Sequence, residues 1–149
     1  MNIKTSRFLG VMVIALVAAA MGSVVYHNSQ PAGGSPNDGK DLIPWRTDLD
    51  SARQEAIAAK KPLFIEISAN WCPDCQEMRS QTWTKANVAQ AMNAFIPVQI
   101  DYDAHPDLVK QFDAKAIPAI YIVDPESEKI VKQSRGEALS PDELLAWVK

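Results

Sequence analysis

After residue 40 the apolar positions follow two rhythms: short continuous runs that suit strands, and three-to-four spacings that suit one face of a helix. The clearest run is Leu63-Phe64-Ile65-Glu66-Ile67-Ser68, which reads as a buried strand interrupted by one carboxylate. Before it, Ser51 to Lys60 is rich in helix formers, with Asp48 or Asp50 placed to cap it and Pro62 to stop it. After it, Gln76 to Gln81 lacks Gly and Pro and reads as a helix that breaks near Thr82-Trp83. Thr84 is placed to cap a further helix over Asn87 to Ala94. Val98 to Asp101 is a short strand, and Pro106 opens a helix over Asp107 to Phe112. Ala116 to Val123 is a strand with Pro118 near its start. Asp124-Pro125-Glu126-Ser127 carries turn chemistry, and Lys129 to Ser134 alternates as an edge strand that ends at Gly136. Ser140, Pro141 and Glu143 form a capping box for a last helix with Leu144, Leu145, Trp147 and Val148 on its apolar face. Trp45 is expected against the edge of the domain. The order α-β-α-(α)-β-α-β-β-α predicts an α/β layer fold with a central mixed sheet.

The start of the chain has a different pattern. Lys4 and Arg7 precede an uncharged apolar run from Phe8 to Tyr26. Residues 1–27 therefore read as a signal peptide or signal anchor. Ala18-Ala19-Ala20 and Met21-Gly22-Ser23 offer small residues for cleavage, but the length of the run favours an uncleaved anchor. With Lys4 and Arg7 held in the cytoplasm, the rest lies outside, which in a Gram-negative bacterium is the periplasm. Residues 28–40, rich in Pro, Gly, Ser and Asn, read as a flexible linker. The folded domain is then 41–149, a single small domain. All 18 acidic residues but only 13 of the 15 basic ones follow Tyr26, so the exported part carries −5. With no basic cluster, the charge does not suggest nucleic-acid binding and most simply serves solubility.

Chemistry concentrates at Trp71-Cys72-Pro73-Asp74-Cys75, which holds the chain's only two cysteines. They fall where the Leu63–Ser68 strand gives way to a helix. Residues i and i+3 of a helix share a face, so the sulfurs can meet. Cys72 stands at the positive end of the helix dipole, which favours the attacking thiolate. Such a dithiol forms a mixed disulfide with a substrate and is released when the second thiol attacks the first. Cys72 is expected to be the more exposed nucleophile and Cys75 the resolving thiol. Three other readings stay open: a structural disulfide, which would close too small a loop to restrict the unfolded chain much; a zinc site, for which only His27 and His105 remain as further His or Cys ligands; and two inert buried cysteines.

The motif Ser68-Ala69-Asn70-Trp71-Cys72-Pro73-Asp74-Cys75, with Ile117-Pro118 far downstream, resembles the thioredoxin superfamily. Within it the chain is similar to the C-terminal domain of DsbD-type thiol:disulfide interchange proteins and related periplasmic thioredoxin-like proteins. The resemblance spans about 41–149 and implies a thioredoxin fold. It also implies that Pro118 is a cis-proline beside the disulfide, leaving the Ile117 backbone to pair with a substrate peptide; an ordinary strand-opening proline is the alternative. Glu66 stands six residues before Cys72, where thioredoxins bury an Asp. A buried carboxyl has its pKa raised and could take the Cys75 proton; alternation also allows an outward-facing Glu66, since Leu63, Ile65 and Ile67 share the opposite face. Trp71 is expected either to shield the disulfide and offer a rim to partners or to pack in the core. Pro73 stiffens the loop. Asp74 departs from the common Gly-Pro pair, and its carboxylate disfavours a neighbouring thiolate, which biases the couple towards reducing power.

The resemblance implies a thiol:disulfide oxidoreductase of the periplasm, monomeric, anchored to the inner membrane, and acting on protein disulfides or another thiol-redox protein. It needs no cofactor, because the cysteines carry the electrons. A second reading stands beside it: a thioredoxin-fold peptide-binding or chaperone-like module whose cysteines rarely cycle.

Overall fold

The computed structural model describes residues 41–149. Its elements are α1 (Leu49–Ala59), β1 (Leu63–Ser68), α2 (Pro73–Glu77), a π-helical turn (Met78–Thr82), α3 (Ala86–Met92), β2 (Ile96–Asp101), α4 (Pro106–Gln111), β3 (Ala119–Val123), β4 (Ile130–Arg135) and α5 (Pro141–Trp147). The four strands form one mixed sheet in the order β2-β1-β3-β4. β1 runs parallel to β2 and antiparallel to β3, and β3 runs antiparallel to β4. β1 is thus hydrogen-bonded on both edges, and all six of its residues are buried. Its continuous apolar run follows from having helices on both faces.

The two faces have different fillings. One carries Leu63, Ile65 and Ile67 of β1 with Val98 and Ile100 of β2, packed against Ala52 and Ala56 of α1 and Phe112 after α4. The other is aromatic. Phe64 meets Trp45, Trp83, Phe95 and Trp147 with ring centroids 5.8–6.4 Å apart. Val88 and Met92 of α3 and Leu144 of α5 complete this cluster. Trp45, expected at the domain edge, is buried here: its ring stands edge-on to Trp83 at 5.2 Å, and its indole N–H donates to Asp41 Oδ2 at 2.7 Å.

The element order follows the expected one, with instructive local differences. Asp48 is the cap of α1 and accepts from the Ser51 N–H. Thr84 is not a cap: its hydroxyl donates back to the Ser80 carbonyl, and Lys85 takes the N-cap position without a side-chain bond. The helix expected over Gln76 to Gln81 widens into the π-helical turn, which brings Trp83 inward. β2 starts two residues earlier than expected and includes Pro97. The Pro97 carbonyl accepts from Arg46 N on the outer edge, so the missing N–H costs the β1 ladder nothing. β3 begins only at Ala119, after the cis Ile117–Pro118 bond. The capping box of α5 is formed in full.

Among the described residues no helix is long and apolar enough to cross a membrane. The expected anchor and linker lie outside the described residues.

Leu144 is the fully buried contact of α5 with the aromatic face. Leu144→Ala is expected to lower unfolding free energy by about 2–5 kcal/mol. Leu145→Ala, on the half-buried flank, costs less. Urea denaturation at neutral pH measures both.

Candidate active site

β1 ends at Ser68, and after three intervening residues the chain turns into α2, with Cys72 as its N-cap. Extended backbone at Cys72 (φ −83°, ψ 118°) lets its Sγ accept from the Cys75 N–H at 3.2 Å. Pro73 at the first helical position suits this start, since its missing N–H would have been unpaired anyway. The two sulfurs are bonded, with Cα atoms 5.3 Å apart. The pair packs with Ala69 against Tyr102 and Ile117.

Cys72 is less exposed than the sequence suggested. It is 3% accessible and Cys75 1%, so Cys72 is the more exposed residue by a small margin only. The reason is local: as helix cap its Sγ turns inward to Cys75 and stands 3.6 Å from the Ile117 carbonyl oxygen. The cis Ile117–Pro118 bond presents that carbonyl. Across the sheet, Pro118 O accepts from Gly136 N at 2.9 Å. Gly136 has φ +77°, and a Cβ there would come within 3.0 Å of Ala116, so glycine is required next to this loop.

Trp71 is on the surface, 60% exposed, beside the buried pair. Its indole N–H donates to Asp103 Oδ2 at 2.8 Å, and its ring stands edge-on to Tyr102 at 6.1 Å. Asp103 is itself fixed, because Asp101 Oδ1 accepts from the N–H groups of Asp103 and Ala104, both at 2.9 Å. Below Trp71, Arg79 Nη1 donates to Asn70 Oδ1 at 3.2 Å. Asp74 lies in the first turn of α2 and is exposed. The sequence reading did not single out Tyr102 or Asp103. Their signal was only the acidic and aromatic cluster just past β2, which the parallel pairing of β1 and β2 carries to the same end of the sheet as the cysteines.

Glu66 faces inward and is 1% exposed. Both of its oxygens are occupied: Trp83 Nε1 donates to Oε1 at 3.1 Å, and Gln99 Nε2 donates to Oε2 at 2.8 Å. Burial raises its pKa to about 7. The Gln99 and Trp83 bonds work against that rise, as does the more distant Arg79 charge, while Asp41 adds to it. The alternation argument for an outward Glu66 fails because this sheet has no solvent face at β1. The side opposite Leu63, Ile65 and Ile67 is the aromatic cluster. Among the described residues no group of three or more His, Cys, Asp and Glu side chains is arranged to hold a metal ion.

The cysteine pair at the N-terminus of a helix, the cis-proline against its sulfur and the buried carboxyl on the preceding strand all sit on one mixed sheet. A family model described as thioredoxin-like matches residues 44–125. The chain belongs to the thioredoxin-like family. It is similar to the thiol:disulfide interchange protein DsbD of Ralstonia nicotianae, 30% identical over 66% of this chain and 17% of that protein. DsbD of Neisseria meningitidis serogroup B is 28% identical over 78% of this chain and 20% of that protein. The chain thus spans about a fifth or less of these relatives' length. In structure it is similar to the oxidised C-terminal domain of Neisseria meningitidis DsbD, with 25% identity, a TM-score of 0.58 and coverage of 69% of this chain and 95% of that one. A thioredoxin from Thermus thermophilus shares the fold, with 18% identity, a TM-score of 0.63 and coverage of 72% and 85%.

Burial of Glu66 sets a pH dependence of stability. The folded state keeps the proton up to about 7, whereas the unfolded chain releases it near the ordinary value of 4.5. Between those values the folded state binds more protons, so stability falls as pH rises, by about 3 kcal/mol in all. Glu66→Gln should flatten the curve between pH 5 and 8 and be the more stable form at pH 8. Denaturant midpoints of the oxidised proteins across that range measure it, and a parallel pair of curves would contradict the assignment.

Proposed function

We propose that the chain is a thiol:disulfide oxidoreductase that reduces protein disulfides through Cys72 and Cys75. The observation that carries this reading is the pair itself: two cysteines joined at a helix N-terminus, against the Ile117 carbonyl that precedes a cis-proline and beside an exposed tryptophan.

Each residue has a step. The Cys72 thiolate attacks one sulfur of a substrate disulfide, forming a mixed disulfide and releasing one substrate thiolate. Helix α2 favours that thiolate through its N–H groups, including that of Cys75. Cys75 then gives its proton to the Glu66 carboxylate and attacks Cys72 Sγ. The Cys72–Cys75 disulfide forms, and the second substrate thiolate leaves. Two electrons pass from the dithiol to the substrate, and an external dithiol returns the site to its reduced form. Glu66, titrating near 7, can both take that proton and give it back at neutral pH.

The substrate segment lies across Trp71 and the Ile117–Pro118 loop, adding its backbone beside Ile117 in the manner of an extra strand. Pro73 stiffens the turn, and the Asp74 carboxylate disfavours a neighbouring thiolate and so biases the couple towards donating electrons. Partners are protein disulfides or another thiol-redox protein, met by a monomer in the periplasm. The apolar run at residues 8–26 holds the protein to the inner membrane.

Three variants test the order of events. With insulin as the disulfide probe, Cys75→Ser should accumulate a mixed disulfide through Cys72 that dithiothreitol releases, and Cys72→Ser should form none. The double serine variant should lose all reduction. Retention of full activity by the double variant, seen as suppressed aggregation of an unfolded client, would make the protein a peptide-binding module instead. Asp103→Ala frees the Trp71 indole and should raise KM severalfold with kcat little changed.

A further inference from the structure

We propose that Arg135 is a positioning residue for substrate binding: its guanidinium, laid over the Tyr121 ring and paired with Asp113, ties down the loop that offers the Ile117 backbone to a substrate segment. The proposal rests on the reading of Ile117 as the residue that pairs with the substrate backbone, and names what holds that backbone in place.

The loop spans 112–118, between α4 and β3, and contains no helix or strand. It begins in a tight turn. Asp113 has a left-handed backbone, with φ +49°. Its N–H donates to the Lys110 carbonyl at 3.1 Å, and the Ala114 N–H donates to the Val109 carbonyl at 2.9 Å. A left-handed conformation is unfavourable for a residue with a Cβ, and contacts from the sheet offset that cost. The Tyr121 hydroxyl of β3 donates to the Phe112 carbonyl at 3.0 Å. Arg135, the last residue of β4, stands beside Ala119 in the ladder. Its guanidinium lies over the Tyr121 ring, 5.7 Å from the centroid, and its Nη1 donates to Asp113 Oδ2 at 3.4 Å. The next residue holds the other end of the loop, where Gly136 N donates to the Pro118 carbonyl. Two consecutive residues thus fix the loop at both ends, with Ile117 between them.

Stability does not account for an arginine here. The side chains of Arg135 and Asp113 are 26% and 57% exposed, so their ion pair is screened by water and contributes little. The Arg135 Nε is buried without a hydrogen-bond partner among the described residues, which costs the fold. An aliphatic side chain would cover the Tyr121 ring without that cost. What the arginine adds is a tie from the sheet to the loop. The Tyr121 face and the Gln133 side chain, which accepts from Nη2 at 2.6 Å, orient the guanidinium plane before it meets Asp113. Lys115 also pairs with Asp113, at 3.1 Å, but it belongs to the loop itself and cannot tie the loop to the sheet.

The test compares a protein disulfide with a small one, using the full chain. Insulin offers a backbone segment to Ile117, whereas hydroxyethyl disulfide offers none. Arg135→Leu should raise KM for insulin severalfold, with kcat and the Cys72–Cys75 reduction potential little changed. Reduction of hydroxyethyl disulfide should continue at the parent rate. Arg135→Lys keeps the charge but not the plane and should recover part of the loss. Asp113→Asn, which removes the charge and still suits a left-handed backbone, should match Arg135→Leu. Hydrogen exchange at the Ala114 amide should be faster in the Leu and Asn variants than in the parent. An unmoved insulin KM, an Asp113→Asn variant unlike Arg135→Leu, or equal losses with both disulfides overturns the proposal. Unchanged exchange at Ala114 overturns it whatever the activity. A parent chain that reduces neither disulfide, with Ala114 exchange still faster in the variants, would place the failure in the oxidoreductase reading and not in the tie. Asp113 is exposed, so its variant decides even where Arg135→Leu does not fold.

Discussion

The structure depends on β1 being buried on both faces and paired on both edges. That one constraint forces an apolar sequence on the strand, fixes where it ends, and so fixes where the cysteines begin. It also makes the single carboxylate within it expensive. A carboxyl with no route to water must be given hydrogen bonds or a proton. The fold supplies both, with Trp83 and Gln99 as donors and a pKa near 7. In the proposed proton path the stability cost and the chemistry are two sides of the same burial, because a carboxylate left in water would keep its ordinary low pKa and be too weak a base to draw a proton from a thiol.

The surface of the site is organised around the same strand end. β2 runs parallel to β1, so the turn after it delivers Tyr102 and Asp103 beside Trp71. β3 runs antiparallel, so its first residues deliver the cis-proline loop against Cys72. One buried strand thus gathers contributions from two neighbours whose sequence positions lie more than thirty residues away. The exposed tryptophan donates to the Asp103 carboxylate, and the backbone N–H of Asp103 donates in turn to Asp101. A large aromatic fixed in this way offers contact area to a partner at small entropic cost.

Much of this is legible in the chain, and the boundary of legibility has a physical cause. The β1 run, the Asp48 cap, the α5 capping box and the cysteine pair are local patterns, and each appears in the structure. The inward direction of Glu66 depends on whether the sheet has a solvent face, which alternation within one strand cannot decide. Trp83 looked like a helix break because the π-helical turn that swings it inward has no sequence signature of its own. Gln99 and Asp103 acquire their roles only through strand pairing. Cys72 is more enclosed than a nucleophile was expected to be, because serving as a helix cap turns its sulfur inward. What is local to a few residues can be read in advance; what comes from two strands meeting cannot.

The central claim is that Cys72 and Cys75 form a couple that donates electrons to protein disulfides. Its most direct test is the reduction potential of that couple, measured by equilibrating the protein in defined thiol buffers. The account predicts a value near that of thioredoxin, about −270 mV. A value near that of a strong oxidant such as DsbA, about −120 mV, would contradict it and make the site an acceptor of electrons rather than a source.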